Sequence, residues 1–241
     1  MKAFDITVPD KRGSRESESG GGMTVKAVMI SIRPKWCEKI ANGKKTIEVR
    51  KTRPKMDTPF RCYIYCTQSA DMLWILKERE RSLHPDKIAD VFKAAKCGGA
   101  YRGNGKIIGE FVCYRIDALV RVGYMGSGEM PRYNILNADA HIRPAKELFQ
   151  RACLTEDEAE DYLKGRYGFG WHISDLKIYD QPKELNEFWL PPELYCEKER
   201  CGGCPYDQVA DVNGEYSFDC EWKRPLTRPP QSWCYVEDKE A

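Results

Sequence analysis

The sequence predicts a mixed α+β fold, and three observations carry that prediction. Val28, Ile30 and Ile32 alternate with Met29, Ser31 and Arg33, the two-residue period of a strand with one buried face. Ile88, Val91, Phe92 and Ala95 recur at i, i+3, i+4 and i+7, which is one face of a helix over 86–96. Thr155-Glu156-Asp157-Glu158 is a capping box that opens a second helix, running to about residue 164 and stopped by Gly165.

The remaining elements follow in chain order. Residues 1–22 end in a Gly/Ser/Glu run too polar to bury a core, so they predict a disordered leader, with Met23 as a candidate natural start. After the first strand, Pro34 fits the opening turn of a short helix, where a missing N–H costs nothing. Trp36, Cys37 and Ile40 give that helix an apolar stripe, and Gly43 can supply its left-handed stop. Thr46, Glu48 and Arg50 then share one face of a second strand, with Ile47 and Val49 on the other. A third strand spans 60–66. Gly98 and Gly99 end the 86–96 helix, and Gly103-Asn104-Gly105 is a hairpin turn. Residues 106–122 form a long β segment broken in two near Asp117. The Gly-, Met- and Asn-rich stretch 123–141 is a loop that overhangs a cleft, and 170–179 is a further strand.

Composition limits the function classes. Of 241 residues, 41% are hydrophobic and 32% charged, and no apolar run approaches the ~20 residues of a membrane span. Asp5, Pro9 and Asp10 interrupt any signal-peptide core. Eleven cysteines, an odd number without secretory context, fit a reducing cytoplasm.

Charge is distributed unevenly. Between residues 26 and 55 there are ten Lys/Arg and two acids, Glu38 and Glu48, a local charge of +8. The whole chain carries +2, so the remainder is at −6. A basic island on an acidic body is the footprint of a phosphate or other anion site; a solvated basic face is the alternative. A carboxylate, Glu48, embedded among these cations is more specific than a basic run.

Two motifs in this region, Ser31-Ile32-Arg33-Pro34-Lys35-Trp36 and Gly43-Lys44-Lys45-Thr46-Ile47-Glu48-Val49-Arg50, resemble the signature of the ASCH domain, a member of the PUA-like superfamily. Gly105-Lys106-Ile107-Ile108-Gly109-Glu110-Phe111 and Tyr167-Gly168-Phe169-Gly170-Trp171-His172-Ile173 support the resemblance, which covers roughly residues 25–190. The ending Arg228-Pro229-Pro230-Gln231-Ser232-Trp233-Cys234-Tyr235-Val236-Glu237 is similar to small ASCH proteins of phages and prophages of Gram-positive bacteria. The resemblance implies a small β-barrel with flanking helices over 23–190, and a cleft lined by the GKKTIEVR segment that binds RNA or a modified nucleotide. Some small relatives hydrolyse the amide of an acylated cytidine with a lysine, a threonine and a glutamate. Their lysine matches Lys45, whereas the position of their threonine is occupied here by Glu48. Other members act as ribonucleases.

Residues 191–241 form a Cys-rich C-terminal extension. Cys196, Cys201 and Cys204 are spaced C-x4-C-x2-C, with Cys220 and Cys234 further on. A C-x2-C pair around Gly202 and Gly203 lets two thiolates reach one ion, so a structural zinc is expected on Cys196, Cys201, Cys204 and one or both of Cys220 and Cys234. Zinc binding would supply the folding energy that a Pro- and charge-rich tail lacks. Reduced thiols in an irregular tail, or disulfides, are the alternatives. Cys62, Cys66 and Cys113 fall in strand patterns and read as core.

The binding candidates are Arg33, Lys35, Lys45 and Arg50, with Trp171 and His172 as wall residues of the same cleft. Trp171, with Phe169 and Tyr167, is either a stacking wall for a base or core, and His172 is either a bonded core residue or an acid–base group. Lys45 and Glu48 are the candidate acid–base pair of a hydrolase; otherwise they form a surface ion pair worth under about 1 kcal/mol. The three histidines, His84, His141 and His172, lack metal-ligand spacing, and there is no Walker motif. The leading expectation is RNA or nucleotide binding, with the Lys45/Glu48 hydrolase as the alternative.

Overall fold

The computed structural model describes residues 26–77, 88–121, 132–136, 142–191 and 224–237. Its centre is an eight-stranded mixed sheet. The first strand, β1 (Lys26–Ile32), runs parallel to β3 (Phe60–Cys66) and antiparallel to β10 (Trp233–Glu237). β3 pairs antiparallel with the 15-residue β6 (Ile107–Arg121), whose other edge carries the 16-residue β9 (Gly168–Lys183). β2 (Ile47–Arg50) pairs with β9, while β7 (Tyr133–Leu136) and β8 (Ile142–Pro144) extend the sheet from the far end of β6. A separate ribbon joins β4 (Trp74–Leu76) to β5 (Ala100–Arg102). Among the described residues four short α-helices cover the sheets: α1 (Pro34–Ala41), α2 (Ile88–Lys96), α3 (Lys146–Arg151) and α4 (Glu156–Leu163). No helix among the described residues is long and apolar enough to cross a membrane.

The sheet does not close into the expected barrel. β2 lies at one end of the hydrogen-bonded order and β10 at another, and no ladder joins them among the described residues. Side chains bridge the gap instead. Arg50 donates to the Ser31 carbonyl (2.6 Å), Trp233 Nε1 to Thr52 Oγ1 (2.9 Å), and the Lys55 amide to the Tyr235 hydroxyl (2.7 Å). A four-residue β2 is too short to offer a second ladder while its other edge is held by β9.

Both faces of β1 are covered, which alternation alone did not reveal. Val28, Ile30 and Ile32 join Cys37, Ile40, Phe60, Phe111 and Trp171 in one core, whereas Ala27 and Met29 pack with Tyr63, Phe188, Leu226 and Val236 in another. A central strand buried on both sides reads as a near-continuous apolar run. Cys62, Cys66 and Cys113 are fully buried, and burial pushes the Cys113 thiol up to about 12.

Local signals perform well at the helices. Pro34 sits in the first turn of α1, and Gly43 follows its end at φ +68°, the left-handed region a glycine tolerates. The Thr155/Glu158 capping box is formed in both directions, and the chain turns left-handed at Lys164 (φ +56°). α2 is described from Ile88, so the first two residues of the 86–96 expectation lie outside the described residues. β6 is not broken at Asp117. It changes neighbours there, leaving β3 after Cys113 and meeting β7 from Ala118.

The described end of the chain belongs to the main body rather than to an appended Cys-rich extension. β10 is a strand of the main sheet, Leu226 and Val236 are core residues, and Trp189 bridges Pro225. Trp233 and Tyr235, which the sequence shows only as part of a terminal motif, pack against the core that holds Trp171. The 1–22 leader, His84, His141, most of the 123–141 loop, and Cys196, Cys201, Cys204 and Cys220 lie outside the described residues.

Candidate functional site

The turn after α1 brings Lys45 beneath the helix, and β2 then presents Glu48 and Arg50 on one face. Lys45 Nζ stands 3.2 Å from Glu48 Oε2, and Arg50 Nη2 stands 3.1 Å from Glu48 Oε1. All three residues are buried, Lys45 at 3% exposure. Each cation is also held by a carbonyl: Lys45 donates to Ala152 (2.7 Å) and Arg50 to Ser31 (2.6 Å). This is a buried triad rather than the open cleft lining expected for Lys45 and Arg50, because the α3–α4 connection covers the lysine. Glu48 Oε2 lacks hydrogen-bond alignment with Lys45, and Arg50 Nε has no acceptor. The chemistry left to the triad is a fixed carboxylate with one uncommitted oxygen next to an ammonium.

Above it, α1 presents Trp36, half-buried, with the ammonium groups of Lys35, Lys39 and Lys45 at 4.6, 4.9 and 5.1 Å from its ring centroid. Arg33 and Lys35 are exposed, and Lys35 reaches Glu158 at 3.6 Å. In the sequence, Trp36 reads only as part of an apolar stripe. The one signal of a further role is its pair of lysines at i−1 and i+3.

Trp171 is not a wall residue. It is fully buried, edge-on to Phe60 at 5.9 Å, with its ring 6.1 Å from that of Trp233. His172 is on the opposite face of β9, since neighbouring residues on a strand alternate. Cross-strand register places Glu48 opposite Trp171, and both Ile47 and Arg115 opposite His172. The structure thus gathers Lys45, Glu48 and Arg50, sets Arg33 and Lys35 on the surface nearby, and separates His172 from them.

On its own face, His172 meets a partner that sequence spacing could not reveal. Its Nε2 lies 2.8 Å from Asp117 Oδ2, and Arg115 Nη2 lies 3.2 Å from the same oxygen. Arg115 nitrogens also approach Nε2, at 3.1 and 3.4 Å, but Nε2 cannot donate to Asp117 and accept from Arg115 at once. The charged carboxylate is the stronger acceptor, so Nε2 carries the hydrogen and Nδ1 faces the Tyr114 hydroxyl at 3.4 Å. Burial opposes ionisation of Asp117, yet the hydrogen bond and charge of His172, with Arg115 and Arg143, outweigh it and hold the carboxyl below its usual range. A depressed folded pKa contributes stability above the unfolded value of about 3.9, lost as pH falls through the folded one. Asp117→Asn should therefore lower the melting temperature at pH 7 and flatten the acid limb of a thermal stability profile. An unchanged acid limb would contradict this account.

No curated protein matches the sequence. The crystal structure of ASCH from Zymomonas mobilis is similar at a TM-score of 0.44 and 16% identity, covering 89% of this chain and 90% of that one. Two single-residue mutants of the same Zymomonas mobilis protein give TM-scores of 0.40 and 0.38 at 15% and 16% identity; each comparison covers 87% of this chain, and 88% and 87% of theirs. The ASCH domain model matches residues 30–122, the stretch that runs from β1 through α1 and the Lys45–Glu48–Arg50 triad to the end of β6.

Proposed function

We propose that this protein binds RNA or a modified nucleotide on the basic face of α1, in a cytoplasmic setting. ASCH domains are generally nucleic-acid-binding, PUA-like modules. The observation that supports this particular surface is the half-buried Trp36 ring surrounded by three ammonium groups within 5.1 Å. An aromatic face beside mobile cations is the pairing that single-stranded sites use, one to stack a base and the others to neutralise phosphates. Arg33, Lys35 and Lys39 are the cations within reach of solvent, on α1 and its N-cap, and the triad lies below the helix.

Salt dependence tests the assignment. RNA affinity against salt should fall less steeply in Lys35→Ala and Lys39→Ala, by about 0.7–0.9 of a unit of slope for each phosphate that is no longer neutralised. Trp36→Ala should weaken binding with the slope kept. Identical slopes in the parent and both lysine variants would leave only a solvated basic face.

A second reading is favoured by one observation. Glu48 keeps an oxygen without a hydrogen-bond donor 3.2 Å from Lys45 Nζ, the arrangement of an acid–base pair. In this reading the pair activates water for hydrolysis of RNA or of an acylated nucleoside amide. Glu48→Gln should then abolish turnover of such an amide while RNA affinity stays within about twofold; absence of turnover in the parent would remove this reading.

A structural zinc in the C-terminal region is a further proposal, supported by the C-x4-C-x2-C spacing alone. No group of metal-binding side chains occurs among the described residues. Cys234 is in β10, packed beside Leu185 and Leu190, and burial pushes its thiol up to about 11. The candidate set is Cys196, Cys201, Cys204 and one or both of Cys220 and Cys234. Elemental analysis of protein purified without chelator should find about one zinc per chain. Metal-free protein whose melting temperature ignores chelator would refute it.

A further inference from the structure

We propose that the cleft on the His172 face is a second anion site, one that takes a phosphoryl group and is separate from the basic face around Trp36. The cleft is small, and its polar lining is Arg115, Asp117, Arg143, Glu147, Arg151 and His172. Ile47, Ile135, Pro144 and Leu148 complete the wall. Low-dielectric walls of that kind strengthen whatever charge interaction forms between them.

The charges are unevenly committed. Arg115 is tied to Asp117 at 3.2 Å, and Asp117 in turn holds His172. Arg143 and Arg151 form no ion pair among the described residues; Arg151 gives its Nε to Thr46 Oγ1 (3.1 Å) and keeps its terminal nitrogens. Two uncommitted guanidinium forks facing one cleft match the oxygens of a single phosphoryl group, which each can hold through two parallel N–H bonds. The three arginines exceed the two carboxylates by one charge, which favours an anion in the cleft.

The phosphate source is either free inorganic phosphate or the terminal monoester of a nucleotide or RNA end. Because Ile47 and His172 face away from Glu48 and Trp171, a ligand here leaves the α1 surface open.

Calorimetric titration of the full chain tests this, using inorganic phosphate, a 5′-phosphorylated oligoribonucleotide and the same oligonucleotide with a 5′-hydroxyl. Arg143 is exposed in β8, so Arg143→Gln leaves the core intact, and circular dichroism melting confirms that it folds. Inorganic phosphate should bind the parent and bind Arg143→Gln and Arg151→Gln at least about tenfold more weakly, as removal of a bidentate partner predicts. Lys35→Ala and Lys39→Ala should leave phosphate affinity unchanged, even if the α1 surface proves not to bind RNA. Preference for the phosphorylated oligonucleotide, abolished in Arg143→Gln, assigns a terminal monoester; phosphate binding without that preference assigns the free ion. No phosphate binding by the parent, or equal binding by the parent and both arginine variants, overturns the proposal.

Discussion

Glu48→Ala is expected to destabilise the fold by about 3–5 kcal/mol, the cost of leaving buried charges without their partner. Glu48 separates two cations, with Lys45 at 3.2 Å and Arg50 at 3.1 Å, and the Lys45 side chain is 2% exposed. Removing the carboxylate leaves an ammonium and a guanidinium facing each other in a buried site. The carbonyls of Ala152 and Ser31 still accept one bond from each, which limits the loss but does not restore neutrality. Replacing all three residues with apolar ones of similar volume should recover much of the stability, because the desolvation cost of the ions vanishes with them. Urea denaturation with a constant slope measures both effects. A loss below about 1 kcal/mol for the single variant is what an exposed pair would give, and would mean that the triad is solvated.

Trp171→Ala should cost a similar amount, about 3–5 kcal/mol, through a different mechanism. The indole is fully buried between Phe60 and Trp233, and it packs against strands from the beginning, middle and end of the chain. Truncation leaves a cavity that a sheet backbone cannot collapse into, while the partnerless Nε1 means that little hydrogen bonding goes with it. Chemical denaturation again gives the value. The competing role, a stacking platform for a base, requires a different result: a small change in stability with a large drop in RNA affinity. Measuring both in the folded variant separates the two.

Sequence patterns located most elements because their signals are local. The alternation of Val28, Ile30 and Ile32, the Pro34 start and Gly43 stop of α1, and the Thr155 capping box depend on neighbours within a few residues, and each is formed as its chemistry requires. The i,i+3 spacing of Lys45 and Glu48 was also legible, since a turn entering a short strand can set two such side chains together. Burial was not legible. Whether Lys45 and Arg50 line a cleft or lie beneath α1 depends on the α3–α4 connection, more than a hundred residues away in sequence, reaching the lysine through the Ala152 carbonyl.

Register and pairing account for the rest. Tyr167-Gly168-Phe169-Gly170-Trp171-His172 reads as one aromatic block, but a strand sends alternate residues to opposite faces. Trp171 therefore enters the core, and His172 meets Asp117 across the sheet. Gly170 lies in β9 as the strand expectation has it, but only the fold shows that a Cβ there would stand 2.7 Å from Leu148 Cδ1. Its missing side chain lets α3 close over the His172 face. The terminal strand was the hardest to read, because Trp233–Glu237 becomes a strand only by adding to the free edge of β1, some two hundred residues earlier. Helix positions, strand faces and the basic character of the α1 region are thus written in the chain itself, because they follow from steric and charge relations between near neighbours. Which charges are buried, that His172 has a carboxylate partner and which residues share a cleft emerge only on folding, because they depend on segments that pairing brings together from opposite ends of the chain.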